Sequence, residues 1–496
     1  MKRRAFLCIL FLSLPLRAEA QGNNWNQKLA GSVYASAFAF MEPRTLVPIP
    51  LADLTLWGLR GLTALDPSVA PVMTAHQIAL YDRGQAVMTL PLPQPGDVAA
   101  WGALAALLCD RAAALSPTVA QAGTGGIVTN FFDELFNHLD PYSRYVGPDS
   151  RTTDVPPADP GLSLALHGRH VVVDSVFPGG PAAAAGIVAG DRVLAINGDA
   201  TRGADPYTLN GALTGAAGSQ ITLRIEPRRG RVRTFSLTRA PSVAVTVFSQ
   251  QQGSNLLIQI TGFEPDTAAA FQAQLAAGLA ANPQPRGIII DLRGNRGGLL
   301  EQAVTVADSL IPRGTIASTT GRDRDATQIW RATGQSMAGS LPIAVLVDGR
   351  TASAAEVLSA AVADDGRGVV IGSATFGKGL VQAATELPDG GHLLVTWARL
   401  LAPLGWPLQG LGVLPQLCTS GDPSAVETQL QALSGGQQPM AAALHAERAA
   451  RPGLSLNQML QLREACPAAL GSSLDLQAAQ FLLSTPPAYQ AALISR

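Results

Sequence analysis

Ser353 and Lys378, 25 residues apart, are the residues whose types and spacing point to chemistry. The chain holds three lysines, Lys2, Lys28 and Lys378, among 35 basic residues, so nearly every positive charge is written as arginine. Arginine serves any purely electrostatic role, but its guanidinium does not lose its proton. An amine that must be neutral has to be lysine. Lys378 lies in Thr375-Phe376-Gly377-Lys378-Gly379 and so points to a lysine general base, which needs a nucleophile. Ser353, in Asp348-Gly349-Arg350-Thr351-Ala352-Ser353-Ala354-Ala355-Glu356, stands between a predicted strand and a predicted helix. There the helix dipole and unsatisfied N–H groups favour negative charge. The plain alternative for Ser353 is an N-cap, with Glu356 completing a capping box. For Lys378 it is a solvated turn. A third segment, Asp291-Leu292-Arg293-Gly294-Asn295-Arg296-Gly297-Gly298-Leu299, puts three glycines in five residues, where backbone can approach a ligand and expose N–H groups.

Three such segments need a scaffold that returns them to one place. From about residue 241 the pattern alternates: apolar strands at Leu256–Ile260, Gly287–Leu292, Ile343–Val347, Val369–Ile371 and Leu393–Trp397, and helices at Thr267–Ala281 and Ala354–Ala363. This predicts an α/β core with a largely covered sheet over 241–420. Residues 21–150 read as mostly helical, with Ala and Leu at helical spacing in Trp101–Leu115 and Val128–Leu139. Residues 151–160 are proline-rich and read as a linker. Residues 161–240 hold short β-type runs, Val171–Val173, Val193–Ile196 and Ile221–Ile225, with a turn signal at Asn197-Gly198 and a short helix over Asp205–Leu213. Residues 421–496 return to helical Ala/Leu/Gln-rich segments broken by prolines.

In order and spacing these segments resemble the carboxyl-terminal processing peptidases, also called tail-specific proteases. The resemblance runs from about Phe132 to Gln416. It is carried by Leu139-Asp140-Pro141-Tyr142-Ser143-Arg144-Tyr145, by Gly180-Pro181-Ala182 with Ala185-Gly186-Ile187, and by Gly190-Asp191-Arg192-Val193-Leu194-Ala195-Ile196-Asn197-Gly198. The catalytic segments are Asp291-Leu292-Arg293 with Gly297-Gly298, Ser353-Ala354-Ala355-Glu356, and Thr375-Phe376-Gly377-Lys378-Gly379 with Gln382. Leu408-Gln409-Gly410-Leu411-Gly412-Val413 resembles a strand closing the core. The resemblance implies a crotonase-like, ClpP-like serine peptidase core with an inserted PDZ domain over 161–240. It implies Ser353 as nucleophile, Lys378 as base and Gln382 holding the amine. Ala354 N–H and a glycine N–H of Gly297-Gly298, with Gly298 preferred, would form the oxyanion hole. A lysine base requires burial that disfavours its ammonium form, and Phe376 is expected to supply part of it. The PDZ loop Gly161-Leu162-Ser163-Leu164 would hold the carboxylate of an apolar chain end on backbone N–H groups. Leu162 and Leu164 would help form its pocket or belong to the PDZ core.

Lys2-Arg3-Arg4, the apolar run Ala5–Leu16 and Ala18-Glu19-Ala20 read as a secretory signal over 1–20, with mature protein starting at Gln21. The apolar run is too short for a membrane anchor, which needs ~20 residues, and no later charge-free stretch reaches that length. A net charge of −1 with no basic run beyond Arg228-Arg229-Gly230-Arg231 argues against nucleic acid. Export implies an oxidising compartment, here the periplasm, where Cys418 and Cys466 can pair or stay free, and Cys109 lies in an apolar helical run. His76, His138, His167, His170, His392 and His445 form no triad or zinc pattern, so neither metal nor cofactor is expected. The expectation is a periplasmic serine endopeptidase acting on protein or peptide substrates with apolar C-termini. The alternative is a non-catalytic PDZ binding or regulatory protein on a peptidase-derived scaffold. Homo-oligomerisation and an adaptor protein stay open as roles for the helical ends.

Overall fold

The computed structural model describes residues 25–493 apart from 149–157, 168–169, 177–179, 203–208, 210–211, 229 and 242–244. The signal expected over 1–20, most of the 151–160 linker and most of the 205–213 helix lie outside the described residues. The chain divides into two compact units, the first holding residues up to Pro148 with Ala383–Val395 and the second the remainder.

In the first unit, α1 (Gln27–Met41), α2 (Leu51–Leu65), α3 (Val98–Leu115) and α4 (Pro117–Asn137) pack with α1 on α3 and α2 on α4. Their shared core includes Tyr34, Phe38, Trp101, Phe131 and Phe132. By length and composition α3 could cross a membrane, yet half of it is buried inside this unit. Residues 21–150 are mostly helical, as expected, with one addition: β1 (Val69–Met73), β2 (Gln77–Asp82) and β3 (Gln85–Pro91) form an antiparallel sheet. Their signal was the Arg83-Gly84 turn, where both residues take positive φ. A short β4 (Arg144–Val146) pairs with His392–Leu394, so part of the segment expected in the core belongs to this unit.

The second unit begins with the PDZ-like sheet. Its elements are β5 (Ala158–Asp159), β6 (Leu162–His167), β7 (His170–Val176), α5 (Pro181–Ala184), β8 (Arg192–Ile196), β9 (Asp199–Ala200), β10 (Gln220–Glu226), β11 (Arg233–Thr238) and β12 (Ala240–Pro241). The sheet order is β11-β10-β8-β7-β6, so β6 is an outermost strand, and β12 pairs with β5 where the chain enters and leaves. Leu162, Leu164, Val173, Val193, Ile221 and Leu223 are among the residues of its own core.

The larger sheet runs β13 (Val247–Gln252), β14 (Asn255–Ile260), β15 (Ile288–Asp291), β18 (Ile343–Val347), β19 (Val369–Gly372) and β22 (Leu417–Cys418). All neighbours after the β13–β14 hairpin are parallel. Buried on both faces, β15 and β18 are written as continuous apolar runs, Ile-Ile-Ile-Asp and Ile-Ala-Val-Leu-Val. One face packs in a core that includes Phe271 of α6 (Thr267–Leu279), Val306 of α7 (Leu300–Asp308) and Leu358 of α8 (Ala354–Asp364). A further sheet joins β16 (Thr315–Thr320), β17 (Gln328–Arg331), β20 (Leu380–Glu386) and β21 (His392–Leu401). The segment 408–413 is a turn and loop rather than the expected strand, because Gly410 and Gly412 take positive φ and the backbone bonds elsewhere.

The helices after 420 have a definite place. They are α9 (Pro423–Ser434), α10 (Ala441–Ala449), α11 (Leu456–Arg463), α12 (Ser473–Ser484) and α13 (Pro486–Ala492). Val426 and Leu433 of α9, Leu482 of α12 and Tyr489 of α13 bury the second face of the sheet against Ile289, Leu346 and Ile371. These faces are thereby spent inside the fold. Cys418, at the end of β22, is bonded to Cys466 just past α11, and Cys109 is a buried free thiol. The protein comprising residues 21–496, unfolded without reductant, is expected to titrate one thiol, and three after reduction; equal counts in a thiol-labelling assay would contradict the bridge.

Candidate active site

The three glycine- and serine-bearing segments leave β15, β18 and β19 at their carboxyl ends, the side of a parallel sheet where ligand sites form. Thr351 Oγ1 donates to Leu292 O at 2.9 Å, and Asp348 Oδ1 accepts from Gly294 N at 2.9 Å. Asn295, fully buried, spans the same gap. Its Nδ2 donates to Ile260 O at 2.8 Å, its Oδ1 accepts from Gly297 N at 2.8 Å, and its carbonyl accepts from Ala352 N at 2.9 Å. The loop after β15 is thus bolted to the residue preceding Ser353. Arg293 closes the outer side, pairing with Asp291 at 2.6 Å and with Asp475 of α12 at 3.0 Å.

Ser353 takes the N-cap position of α8 with φ of 58°, a conformation non-glycine residues rarely adopt, at a cost of order 1–3 kcal/mol. The cap expected from the sequence is therefore present, but on a strained strand-to-helix turn. The space beside it is reserved: a Cβ on Gly297 would lie 2.8 Å from Ser353 Cβ and 3.0 Å from Ala354 N. Phe263 N donates to Gly297 O at 3.0 Å and Leu299 N to Phe263 O at 2.8 Å, which leaves Gly298 N–H outside that bridge. Neither Gly298 N–H nor Ala354 N–H donates to any described residue, whereas Gly297 N–H is taken by Asn295.

Lys378 reaches the same place through Glu356, a fully buried residue of the first turn of α8. Its Oε2 accepts from Ser353 N at 2.7 Å and from Lys378 N at 2.9 Å. Its Oε1 accepts from Gly377 N at 2.7 Å and from Thr375 Oγ1. Burial raises this carboxyl above the ordinary carboxylate range, and the four donors offset only part of that rise. Lys378 is half-buried. Phe376 does not enclose it as expected: that ring is 55% exposed, because Phe376 N donates to Thr351 O and the side chain faces solvent. The lysine turn is instead pressed against the 408–412 loop. A Cβ on Gly379 would lie 2.2 Å from Gln409 N, Gly410 N donates to Gly377 O at 2.9 Å, and Gln409 Oε1 accepts from Gly379 N at 2.9 Å. Gln382 Nε2 donates to Thr396 Oγ1 at 3.1 Å.

A cavity of about 230 Å³ is lined by Leu299, Leu300, Trp330, Val381 and Trp397 among others. Below the lysine loop, Leu414 N donates to Glu447 Oε1 at 2.7 Å, and Arg448 pairs with Glu447 at 3.2 Å and with Asp364 at 2.8 Å. Burial pushes the Glu447 carboxyl up to about 8 against the pull of Arg448. In the PDZ-like sheet, Gly161 N donates to Asp159 Oδ1 at 2.6 Å, which removes that donor from the expected carboxylate-holding loop. Leu162 and Leu164 are 3% and 5% exposed and belong to the sheet's core, and Ser163 is half-buried on β6.

The sequence reading missed Glu356 as a tie, together with Thr375 and Asn295. The signal was there in part: Glu356 follows Ser353 by three residues and Thr375 precedes Lys378 by three. Helical spacing explained the first as a cap, and nothing local links the two.

Comparison with known proteins finds the peptidase family S41 over residues 255–418 and a PDZ domain over 172–227. The chain is 32% identical over 316 residues to the chloroplastic C-terminal processing peptidase of Tetradesmus obliquus, covering 59% of this chain and 67% of that one. It is 31% identical over 299 residues to the carboxyl-terminal-processing protease of a Picosynechococcus strain, covering 57% and 70%. Among solved structures, a photosystem II D1 C-terminal processing protease shares 28% identity, covers 76% of this chain and 97% of its own, and superposes with a TM-score of 0.40.

Replacing Glu356 by Gln turns an amide NH₂ towards backbone donors. Turnover should fall on the order of 10²-fold through misplacement of both loops, with about 1–3 kcal/mol lost from stability; wild-type kcat would contradict the tie. Glu447 has a folded value raised above the ordinary 4.5 to about 8. Its contribution to stability is therefore fully present below pH 4.5 and lost as pH rises through about 8. Urea midpoints measured across this window should decline for the wild type and decline less for Glu447→Gln.

Proposed function

Because the chain belongs to the carboxyl-terminal processing proteases of peptidase family S41, and is thus a serine-type peptidase with a PDZ domain, we propose that it is a periplasmic endopeptidase working through a Ser353/Lys378 dyad on proteins with apolar C-termini. The observation that carries this reading is the single buried carboxylate of Glu356, which holds Ser353 N–H and Lys378 N–H at 2.7 and 2.9 Å. A binding module has no use for that convergence.

The neutral amine of Lys378 takes the proton from Ser353 Oγ as the oxygen attacks the scissile carbonyl. Negative charge builds on the carbonyl oxygen, where the unpartnered N–H groups of Gly298 and Ala354 and the head of α8 support an oxyanion role. Losing one such donor costs other enzymes about 3–4 kcal/mol of barrier. Lys378 then returns its proton to the leaving amine, and water releases the acyl group by the same steps in reverse. Gln382, anchored on Thr396, lies on β20 four residues past Lys378 and steadies this turn. The cavity lined by Leu299, Trp330 and Trp397 takes the substrate side chain next to the cleaved bond. Chain ends add to the outermost strand β6 in the PDZ domain, with Gly161, Leu162, Ser163 and Leu164 at its start. Residues 1–20 direct export.

With a purified mature protein and an unstructured substrate ending in apolar residues, Ser353→Ala and Lys378→Arg should each lower cleavage by at least about 10³-fold. Arginine retains the charge but cannot serve as base. Undiminished cleavage by either variant defeats the dyad.

A further inference from the structure

The lysine turn is also gripped from outside the region matched by the peptidase family. Arg463, the last residue of α11, donates through Nη1 to Leu411 O and through Nη2 to Thr375 O, the latter at 2.8 Å. One guanidinium thereby joins the two backbone segments between which Lys378 is held. Its planar fork suits two carbonyls, and donors carrying charge make the stronger hydrogen bonds.

The surroundings are shaped for this contact. A Cβ on Gly412 would lie 2.7 Å from Arg463 Nη1 and 2.7 Å from Thr375 O. A Cβ on Gly410 would lie 2.5 Å from Met459 Sδ. Met459 and Arg463 are four residues apart, so a single face of α11 rests on the 410–412 turn. Leu456 and Leu460, on the same helix, are 66% and 51% exposed and none of its residues is fully buried, so its apolar hold is confined to Met459 and Leu462, which pack partly buried against the core. What holds it includes a covalent tether: Cys466 N donates to Arg463 O at 3.2 Å, and Cys466 is bonded to Cys418 on the sheet that carries the catalytic loops. The Arg463 charge is felt by two buried carboxylates, Glu356 of α8 and Glu447 of α10.

We propose that Arg463 is a positioning residue for the general base, locking the Thr375–Lys378 turn to the 408–412 loop so that the amine stays in reach of Ser353, with the Cys418–Cys466 bridge anchoring it. The role rests on the reading of Ser353 and Lys378 as nucleophile and base. Arg463 touches no reacting atom; it acts through the backbone of the turn.

The test compares mature wild type, R463Q and R463K, with S353A as control, by kcat and KM on an unstructured peptide with an apolar C-terminus and by the rate of Ser353 labelling with a fluorophosphonate. R463Q should lose on the order of 10²-fold in kcat and in labelling rate, with KM within about threefold of wild type. R463K, whose ammonium is a compact point charge without the planar fork, should recover part of the loss. Values of kcat and labelling within about twofold of wild type in R463Q overturn the proposal. If R463Q does not fold, the C418A/C466A double variant releases the end of α11 while leaving Arg463 and the loop in place. A fall in its kcat at unchanged KM supports the role, and wild-type kcat overturns it. A wild type that neither cleaves nor labels, or an S353A that cleaves as well, defeats the dyad itself and the proposal with it; a working wild type with a dead S353A leaves Arg463 alone on trial.

Discussion

One buried carboxylate organises the candidate active site. Glu356 accepts from Ser353, Gly377 and Lys378 backbone N–H groups and from the Thr375 hydroxyl. Those donors come from two chain segments that are adjacent only in the folded state. A carboxylate stripped of water is tolerated only where hydrogen bonds replace the lost solvation. The hydrogen-bonding need of Glu356 is therefore a geometric constraint on the two residues that flank it: neither the serine turn nor the lysine turn can drift without leaving a buried carboxyl short of donors.

The strain at Ser353 belongs to the same balance. Its φ of 58° is unfavourable in isolation, and the surrounding contacts over-determine it. Asn295 holds Ala352 on one side, α8 begins on the other, and Gly297 has no side chain to contest the space. Beside the serine, the N–H groups of Gly298 in the glycine loop and of Ala354 at the head of α8 donate to no described residue.

The C-terminal helices make the site possible by a different route. A parallel sheet must be covered on both faces, and α9, α12 and α13 supply the second cover. Their connecting segments then become available near the loops: Asp475 reaches Arg293, Ala469 accepts from Gly349, and Arg463 reaches the lysine turn. The Cys418–Cys466 bond lies among these contacts and closes a loop 48 residues apart in sequence.

By itself, the sequence determined the element order of the core, because strands buried on both faces must be apolar throughout and helices must carry small apolar residues at regular spacing. Ile343–Val347 and the helix from Ala354 are found where those patterns place them. It also marked Ser353 and Lys378, since lysine scarcity is a compositional fact that needs no coordinates. Local periodicity was a poorer guide where turns decide the outcome, as in the three-stranded sheet of the first unit and the 408–413 loop. Only the tertiary structure decided that Phe376 faces solvent, that Gly161 N–H is already engaged, and that Glu356, Asn295 and Arg463 brace the site. Each of those facts depends on which groups distant in sequence satisfy a buried donor, acceptor or charge, and that is settled only when the chain has closed around them.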